Sequence, residues 1–352
     1  MFDKKKQKIR EKIKQIFLEF IQEVKIVDRV STLEEKVTNL ESRNKILEFT
    51  DTTSLRLSDD EYLSKINEIV AAGVLKLERR IHRLPVNLDY DTRILTHTDS
   101  GLRVLVDAND PHIAVHLIEN GVWETHVQNC MAMFLTTGSV FVDVGANIGL
   151  HSLYAKQLIG CEGKLYCFEA SKKTFKILSE NIEMNGFLGV ETYLYHNAVS
   201  SKNGQVEFHN FEHHAGMSSI KITKERLEKF SFDKGISETV DALTLDSVKN
   251  LRSAGKVDLV KIDVENFEYE VLLGMKEIIK SSPNIKIILE FLPYDIIEIH
   301  GQTYFKEMLK FMINNFSYIY EISQPNGGLK TVILNEENMH GYDLLLSKIS
   351  CI

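Results

Sequence analysis

Hydrophobic residues follow three successive rhythms along the chain. Near the start, Ile9, Ile13, Ile16, Phe17, Phe20 and Val24 recur at helical spacing. From Val30 the steps alternate three and four: Val30, Leu33, Val37, Leu40, Asn44 and Leu47. That is the a/d pattern of a coiled coil, with Val, Val and Asn at a and leucine at every d, a set that favours two parallel strands in register. Arg29, Lys36 and Arg43 at g meet Glu34, Glu41 and Glu48 at e, so every interchain g–e pair of a parallel homodimer is attractive. The sequence therefore predicts a homodimer through residues 29–48, with a trimer as the competing stoichiometry. The upstream seam joins this one three residues out of step, as a stammer would. Residues 50–60 are polar and turn-rich, and residues 61–83 return to helical periodicity through Leu63, Ile66, Val70 and Val74.

Beyond Pro85 the rhythm becomes strand-like. Arg93–Thr98 and Leu102–Asp107 flank Asp99-Ser100-Gly101, a hairpin turn signal. Apolar strand candidates then alternate with helical stretches: Val140–Val144, Lys164–Glu169, Val190–Tyr195, Val257–Asp263 and Ile285–Phe291, with Phe316–Ile322 and Tyr342–Ser347 as closing strands. Such alternation predicts an α/β fold, a mostly parallel sheet with helices on both faces. Three regions follow: a basic amphipathic helix and coiled coil over residues 1–49, a linker, helix and hairpin over 50–125, and an α/β domain over 126–352. Residues 205–245 break the alternation and read as an insertion over one end of the sheet.

Composition narrows the function classes. The 352 residues carry a net charge of −8, which excludes bulk electrostatic binding of duplex nucleic acid. Only residues 1–14 run strongly basic, so residues 1–24 could lie peripherally on an anionic membrane. No apolar run reaches the length of about 18 residues that a spanning helix needs, and no signal-peptide pattern opens the chain. The expectation is a cytoplasmic protein, with contact at the inner face of the membrane. Cys130, Cys161, Cys167 and Cys351 are scattered without a CxxC pair, which indicates neither a disulfide framework nor a zinc site.

The chemistry concentrates at strand ends. Phe141-Val-Asp-Val-Gly-Ala-Asn-Ile-Gly149 runs from an apolar strand through Asp143 into a loop with Gly145, Asn147 and Gly149, then into the helix Leu150–Ile159. Its G-x-N-x-G spacing differs from the dinucleotide fingerprint, whose third glycine falls one residue later. A carboxylate before the turn would repel a diphosphate and welcome a cationic ligand such as S-adenosylmethionine. Glu169 ends the next strand, where a carboxylate can accept both hydroxyls of a ribose. Ser171 follows it, and Asn197 and Ala198 follow the third strand as candidates for the adenine side.

At the fourth strand, Lys261, Asp263 and Glu265 alternate with apolar residues and share one face. A buried lysine and aspartate need each other or a ligand, so this group is either a structural ion pair or the catalytic set. Asp263 or Glu265 is the expected proton acceptor or alignment group. Glu290, ending the fifth strand, is a further candidate for substrate contact. In the insertion, His209, His213 and His214 suggest a metal, but no carboxylate or cysteine pattern completes a ligand set, and no metal is predicted. His213, His214 and Ser218 are assigned instead to a substrate-covering loop. His151 and the Trp123-Glu124 dipeptide read first as packing.

The segments FVDVGANIG, FEAS, NAVS, TLDS, VKIDVENFEYEVLLG and ILEF, in this order over roughly residues 120–320, resemble the FkbM family of S-adenosylmethionine-dependent methyltransferases. The resemblance implies a class I methyltransferase fold and methylation of a hydroxyl, often on a sugar. It implies cofactor contacts for Asp143, Gly145, Asn147, Gly149 and Glu169, with Asn197 and Ala198 near adenine. One departure stands out: Asn266 occupies a position where the family usually has glycine. Asparagine tolerates left-handed backbone better than most residues, so the turn is expected to survive. The reading is an O-methyltransferase for a glycan or glycolipid sugar. A nicotinamide-dependent sugar oxidoreductase and a catalytically inactive coiled-coil scaffold are the alternatives.

Overall fold

Fully buried strands surround the place where the predicted ligand loop begins. Every residue of β4 (Val140–Val144) is buried, as is every residue of β10 (Leu259–Ile262) beside it. Strands that show no alternation of exposure are covered on both faces, and their Val/Ile/Leu content is the sequence signature of that environment. The computed structural model describes residues 86–87, 92–187, 191–210, 236–335 and 341–352, all within the unit Pro85–Ile352. The predicted residues 1–24, 29–48 and 61–83 lie outside the described residues, as do His213, His214 and Ser218.

The main sheet has eight strands. Its parallel centre comprises β4, β5 (Lys164–Phe168), β6 (Thr192–Tyr195), β10 and β11 (Lys286–Phe291). Three antiparallel strands close one side: β12 (Tyr318–Ser323), β13 (Gly328–Thr331) and β14 (Tyr342–Ser347). The order is β13-β12-β14-β11-β10-β4-β5-β6. From β4 the chain winds outward through β5 and β6, then returns to lay β10 and β11 on the other side. The reversal puts a crevice outside the carboxyl ends of β4 and β10, where ligands bind in open α/β sheets. This is the doubly wound fold predicted from the alternation, with the antiparallel strand β14 inserted between β11 and β12 as in class I methyltransferases.

Helices α1 (Pro111–Asn120) and α2 (Thr125–Phe134) precede β4. Helices α3 (Leu150–Ile159) and α4 (Lys172–Met184) follow β4 and β5 as crossovers. Short helices α5 (Lys249–Ser253), α6 (Glu268–Leu273) and α7 (Lys276–Ser281) flank β10, and α8 (Pro293–His300) and α9 (Gln302–Asn315) follow β11. One apolar cluster joins Val142, Val260, Ile262, Ile287, Leu289, Phe305, Met312 and Leu344.

Two small sheets border this body. The predicted hairpin is present as β2 (Arg93–His97) and β3 (Arg103–Asp107), antiparallel around Gly101, which is left-handed at φ 82°; β1 (Val86–Asn87) extends it. The interrupted region supplies β8 (Gly204–Asn210) and β9 (Ile236–Leu243), antiparallel to each other and joined by β7 (Ala198–Val199). Asn181, fully buried on α4, fastens the hairpin to the ligand loop. Its side-chain amide donates to the carbonyls of Leu105 and Ile148 at 3.1 and 2.8 Å, and its Oδ1 accepts from Leu105 N–H at 2.6 Å.

Candidate active site

The loop after β4 is shaped by close backbone packing. Gly145 has φ +78°, and a Cβ there would lie 1.8 Å from the carbonyl oxygen of Asp263. Only glycine lets the exits of β4 and β10 approach this closely. Gly149 has φ +91°, and a Cβ would sit 2.7 Å from Leu178 Cδ1. It therefore accommodates helix α4. Asn147 adopts φ 50°, its backbone N–H donates to Glu169 Oε2 at 2.9 Å, and its own Oδ1 accepts from Ile148 N–H.

A cavity of about 320 Å³ opens above this loop at the β4–β10 crevice, within the size range usual for small-molecule sites, roughly 300–1,000 Å³. One rim carries Gly145, Asn147, Glu169, Asn197 and Ala198, and the other carries Lys261, Asp263, Glu265 and Glu290. The structure thus gathers most of the residues selected from sequence around one space. Three sit elsewhere. Asp143 is wholly buried beneath the loop and outside the wall, its Oδ2 accepting from Ser152 Oγ at 2.5 Å. Ser171 is the N-cap of α4, accepting from Thr174 N–H, and does not line the cavity. Gly149 lies behind the wall, for the packing reason given above.

Glu169 is built as a hydrogen-bond acceptor. Oε1 accepts from Ser171 N–H at 2.8 Å and Oε2 from Asn147 N–H at 2.9 Å. Each oxygen keeps a second lone pair for a ligand hydroxyl. Burial pushes the carboxyl up to about 7, against those two backbone bonds and with help from the charges of Asp143 and Asp263.

The opposite rim is crowded with charge. Lys261, 4% exposed, places Nζ 2.9 Å from Asp263 Oδ2. Burial alone would lower its pKa, but Asp263, Asp143 and Glu124 outweigh burial and hold it above the ordinary lysine value. The ion pair that the sequence offered as one of two readings is present, and its residues line the cavity. One carboxylate oxygen each from Asp263, Glu265 and Glu290 lies within 4.8 Å of the others, close enough to share a cation. A proton relieves the same crowding. Burial, joined by the charges of Asp263, Glu265, Glu268 and Asp343, pushes Glu290 up to about 10, so it is neutral at pH 7 and can donate a hydrogen bond. The sequence search for metal ligands fixed on histidines and passed over this triad.

Strain accompanies the crowding. Glu265 and Asn266 are both left-handed, at φ 53° and 74°. The turn expected at Asn266 is present, and Glu265 joins it. Glu268, 1% exposed, braces the bend by accepting from the backbone N–H groups of Val264 and Asn266, and burial raises its carboxyl to about 7.

Three residues read as packing, Trp123, Glu124 and His151, also line the cavity. Glu124, left-handed at φ 40°, brings Oε2 to 2.8 Å from His151 Nε2. Burial alone would raise Glu124, but the hydrogen bond and charge of His151, with Lys261 and His126, bring it down to about 2. Trp123 beside it packs edge-on against His112 and His116. Residues 27 apart that meet only through packing leave no spacing signal in a sequence.

A model of the methyltransferase FkbM domain matches residues 143–320, about half of the chain. The chain belongs to the FkbM methyltransferase family. Among curated FkbM-like relatives, methyltransferase sdnD of Sordaria araneosa is 31% identical over 165 residues, 41% of this chain and 62% of that protein. Hexuronic acid methyltransferase AglP of Haloferax volcanii is 26% identical over 199 residues, 56% of this chain and 71% of that protein. The chain therefore spans less than two thirds of the length of sdnD. Among solved structures, methyltransferase FkbM from Methylobacillus flagellatus KT aligns at 12% identity with a TM-score of 0.37, over 60% of this chain and 43% of that one.

Proposed function

We propose that this FkbM-family protein is an S-adenosylmethionine-dependent O-methyltransferase whose acceptor is a sugar hydroxyl in a glycan or glycolipid. The observation that carries the reading is Glu169, which follows β5, lines the cavity and has each carboxylate oxygen fixed by one backbone N–H group. That geometry fits paired ribose hydroxyls. The rest of the wall fits a cation and not a diphosphate: Glu124, Asp263 and Glu265 face it with Lys261 as counter-ion, and Lys261 is already engaged by Asp263. This disfavours the nicotinamide reading. A sugar acceptor is supported by the relative AglP, a hexuronic acid methyltransferase.

When bound, the cofactor supplies a methyl group already activated by the sulfonium. What remains for the protein is alignment and one proton. Glu169 would hold the ribose, with Asn197 and Ala198 beside adenine. Asp263, steadied by Lys261, or else Glu265 would accept a hydrogen bond from the acceptor hydroxyl and draw off its proton as the new C–O bond forms. Neutral Glu290 would donate to a neighbouring oxygen of the acceptor. Residues 29–48 would pair two copies and residues 1–24 would bring them to the inner face of a membrane. No described helix is long and apolar enough to cross one.

Calorimetry with S-adenosylhomocysteine tests the cofactor assignment: wild type should bind, and Glu169→Gln should bind about tenfold or more weakly. Absence of binding by wild type would favour the inactive scaffold. Label transferred from methyl-labelled S-adenosylmethionine to a panel of glycosides should resist alkali, as an ether does. Alkali-labile label would mean a methyl ester and would refute O-methylation of a hydroxyl.

A further inference from the structure

The methyl-donor reading requires a partner for the cofactor's ammonium group, and the residue selected from sequence does not reach it. Asp143 lies under the loop, closed from the cavity and held by Ser152. The carboxylate needed must present an oxygen to the space. Among the carboxylates that line it, Glu169 is assigned to the ribose, Asp263, Glu265 and Glu290 cluster on the opposite rim where Lys261 pairs with Asp263, and Asp110 caps α1 through the N–H groups of His112 and Ile113.

Glu124 is differently placed. It stands at the N-cap position of α2 yet makes no side-chain cap bond. A left-handed backbone turns it instead toward His151, in the first turn of α3, the helix that starts at the glycine loop. His151 is 94% buried (6% exposed) and lines the same cavity. With its Nε2–H given to Glu124, no hydrogen-bond partner meets Nδ1 among the described residues, so the ring's one bond serves to fix the carboxylate. A cofactor with its ribose at Glu169 and its adenine at Asn197–Ala198 would leave the lining at Gly145 and the start of α3 for its amino-acid end. That is where Glu124 and His151 meet.

We propose that Glu124, held by the positioning residue His151, binds the α-ammonium of S-adenosylmethionine. The inference rests on the cofactor reading above, and one pair of ligands separates the two. S-adenosylhomocysteine carries the ammonium; 5′-methylthioadenosine shares the adenosine and thioether but lacks the amino-acid part. In calorimetry on the full chain, Glu124→Gln should bind S-adenosylhomocysteine about tenfold or more weakly, the scale of a lost charge-assisted hydrogen bond. Its affinity for 5′-methylthioadenosine should stay within about twofold, below the energy of one hydrogen bond. His151→Phe should reproduce that selective loss, and His151→Gln, which keeps an N–H donor, should partly restore it. Unchanged S-adenosylhomocysteine affinity in Glu124→Gln would overturn the proposal, as would equal weakening of both ligands. If Glu124→Gln does not fold, the same comparison on His151→Phe decides. Wild type that binds 5′-methylthioadenosine but not S-adenosylhomocysteine would also overturn it while leaving the adenosine site intact. Wild type that binds neither would sink the cofactor reading and this inference together.

Discussion

The two rims of the cavity are built from different materials. On the side of β4 and β5 the backbone does the arranging: Gly145 permits a close approach, and two amide N–H groups fix Glu169. On the side of β10 and β11 the side chains arrange one another. Lys261 offsets Asp263, Glu290 keeps a proton, and two consecutive residues hold left-handed backbone. A rim set by main-chain geometry suits a ligand whose shape never varies. A rim set by mutually dependent charges can be retuned by single substitutions.

The largest effect should come from removing the cation of the charged rim. Lys261→Met leaves Asp263, Asp143 and Glu124 without their common counter-ion, and loss of one partner from a buried pair costs about 3–5 kcal/mol. Chemical denaturation would measure it; a loss under about 1 kcal/mol would mean that the rim is far wetter than its burial implies. Gly145→Ala tests the backbone rim. A methyl group 1.8 Å from Asp263 O at positive φ forces the two strand exits apart, with an expected loss of about 2–4 kcal/mol by the same measurement. Little change would show that the two exits are not tightly coupled.

The smallest effect carries the clearest sign. Burial and neighbouring carboxylates push Glu290 up to about 10 in the folded protein, whereas an unfolded glutamate ionises near 4.5. The folded state then binds more protons, and stability contributed by this group is present below pH 4.5 and lost as pH rises toward 10. Glu290→Gln removes that dependence. It should match wild type near pH 4 and exceed it by about 1–2 kcal/mol at pH 8, below the ~5 kcal/mol of unscreened linkage because Glu290 is only half-buried and solvent screens its neighbours. Thermal melts that shift equally at both pH values would place an ordinary carboxylate at position 290.

These contrasts also explain what the sequence could reveal. The largely apolar strands Val140–Val144 and Tyr342–Ser347 and the helix Leu150–Ile159 were legible to the residue, because their patterning is local. Glu169 was legible for the same reason, since a strand end fixes its position. Asp143 was misplaced because a sequence shows that a carboxylate ends a strand but not whether it faces ligand or core. Glu124 and His151 were passed over because α2 and α3 bring them together only in three dimensions. The proton on Glu290 was invisible because it depends on Asp263, Glu265, Glu268 and Asp343, the last of these its cross-strand partner.

Asn181 has a consequence for where this domain begins. The matched family segment starts at Asp143, yet the amide that steadies Ile148 is anchored at its other end by Leu105, in a hairpin upstream of that segment. A polypeptide trimmed to open at Asp143 would keep every residue of the family signature and lose the strut beneath its binding loop. The smallest autonomous piece therefore reaches back at least to the strand Arg93–His97, and ancestry and mechanical self-sufficiency draw different borders on this chain.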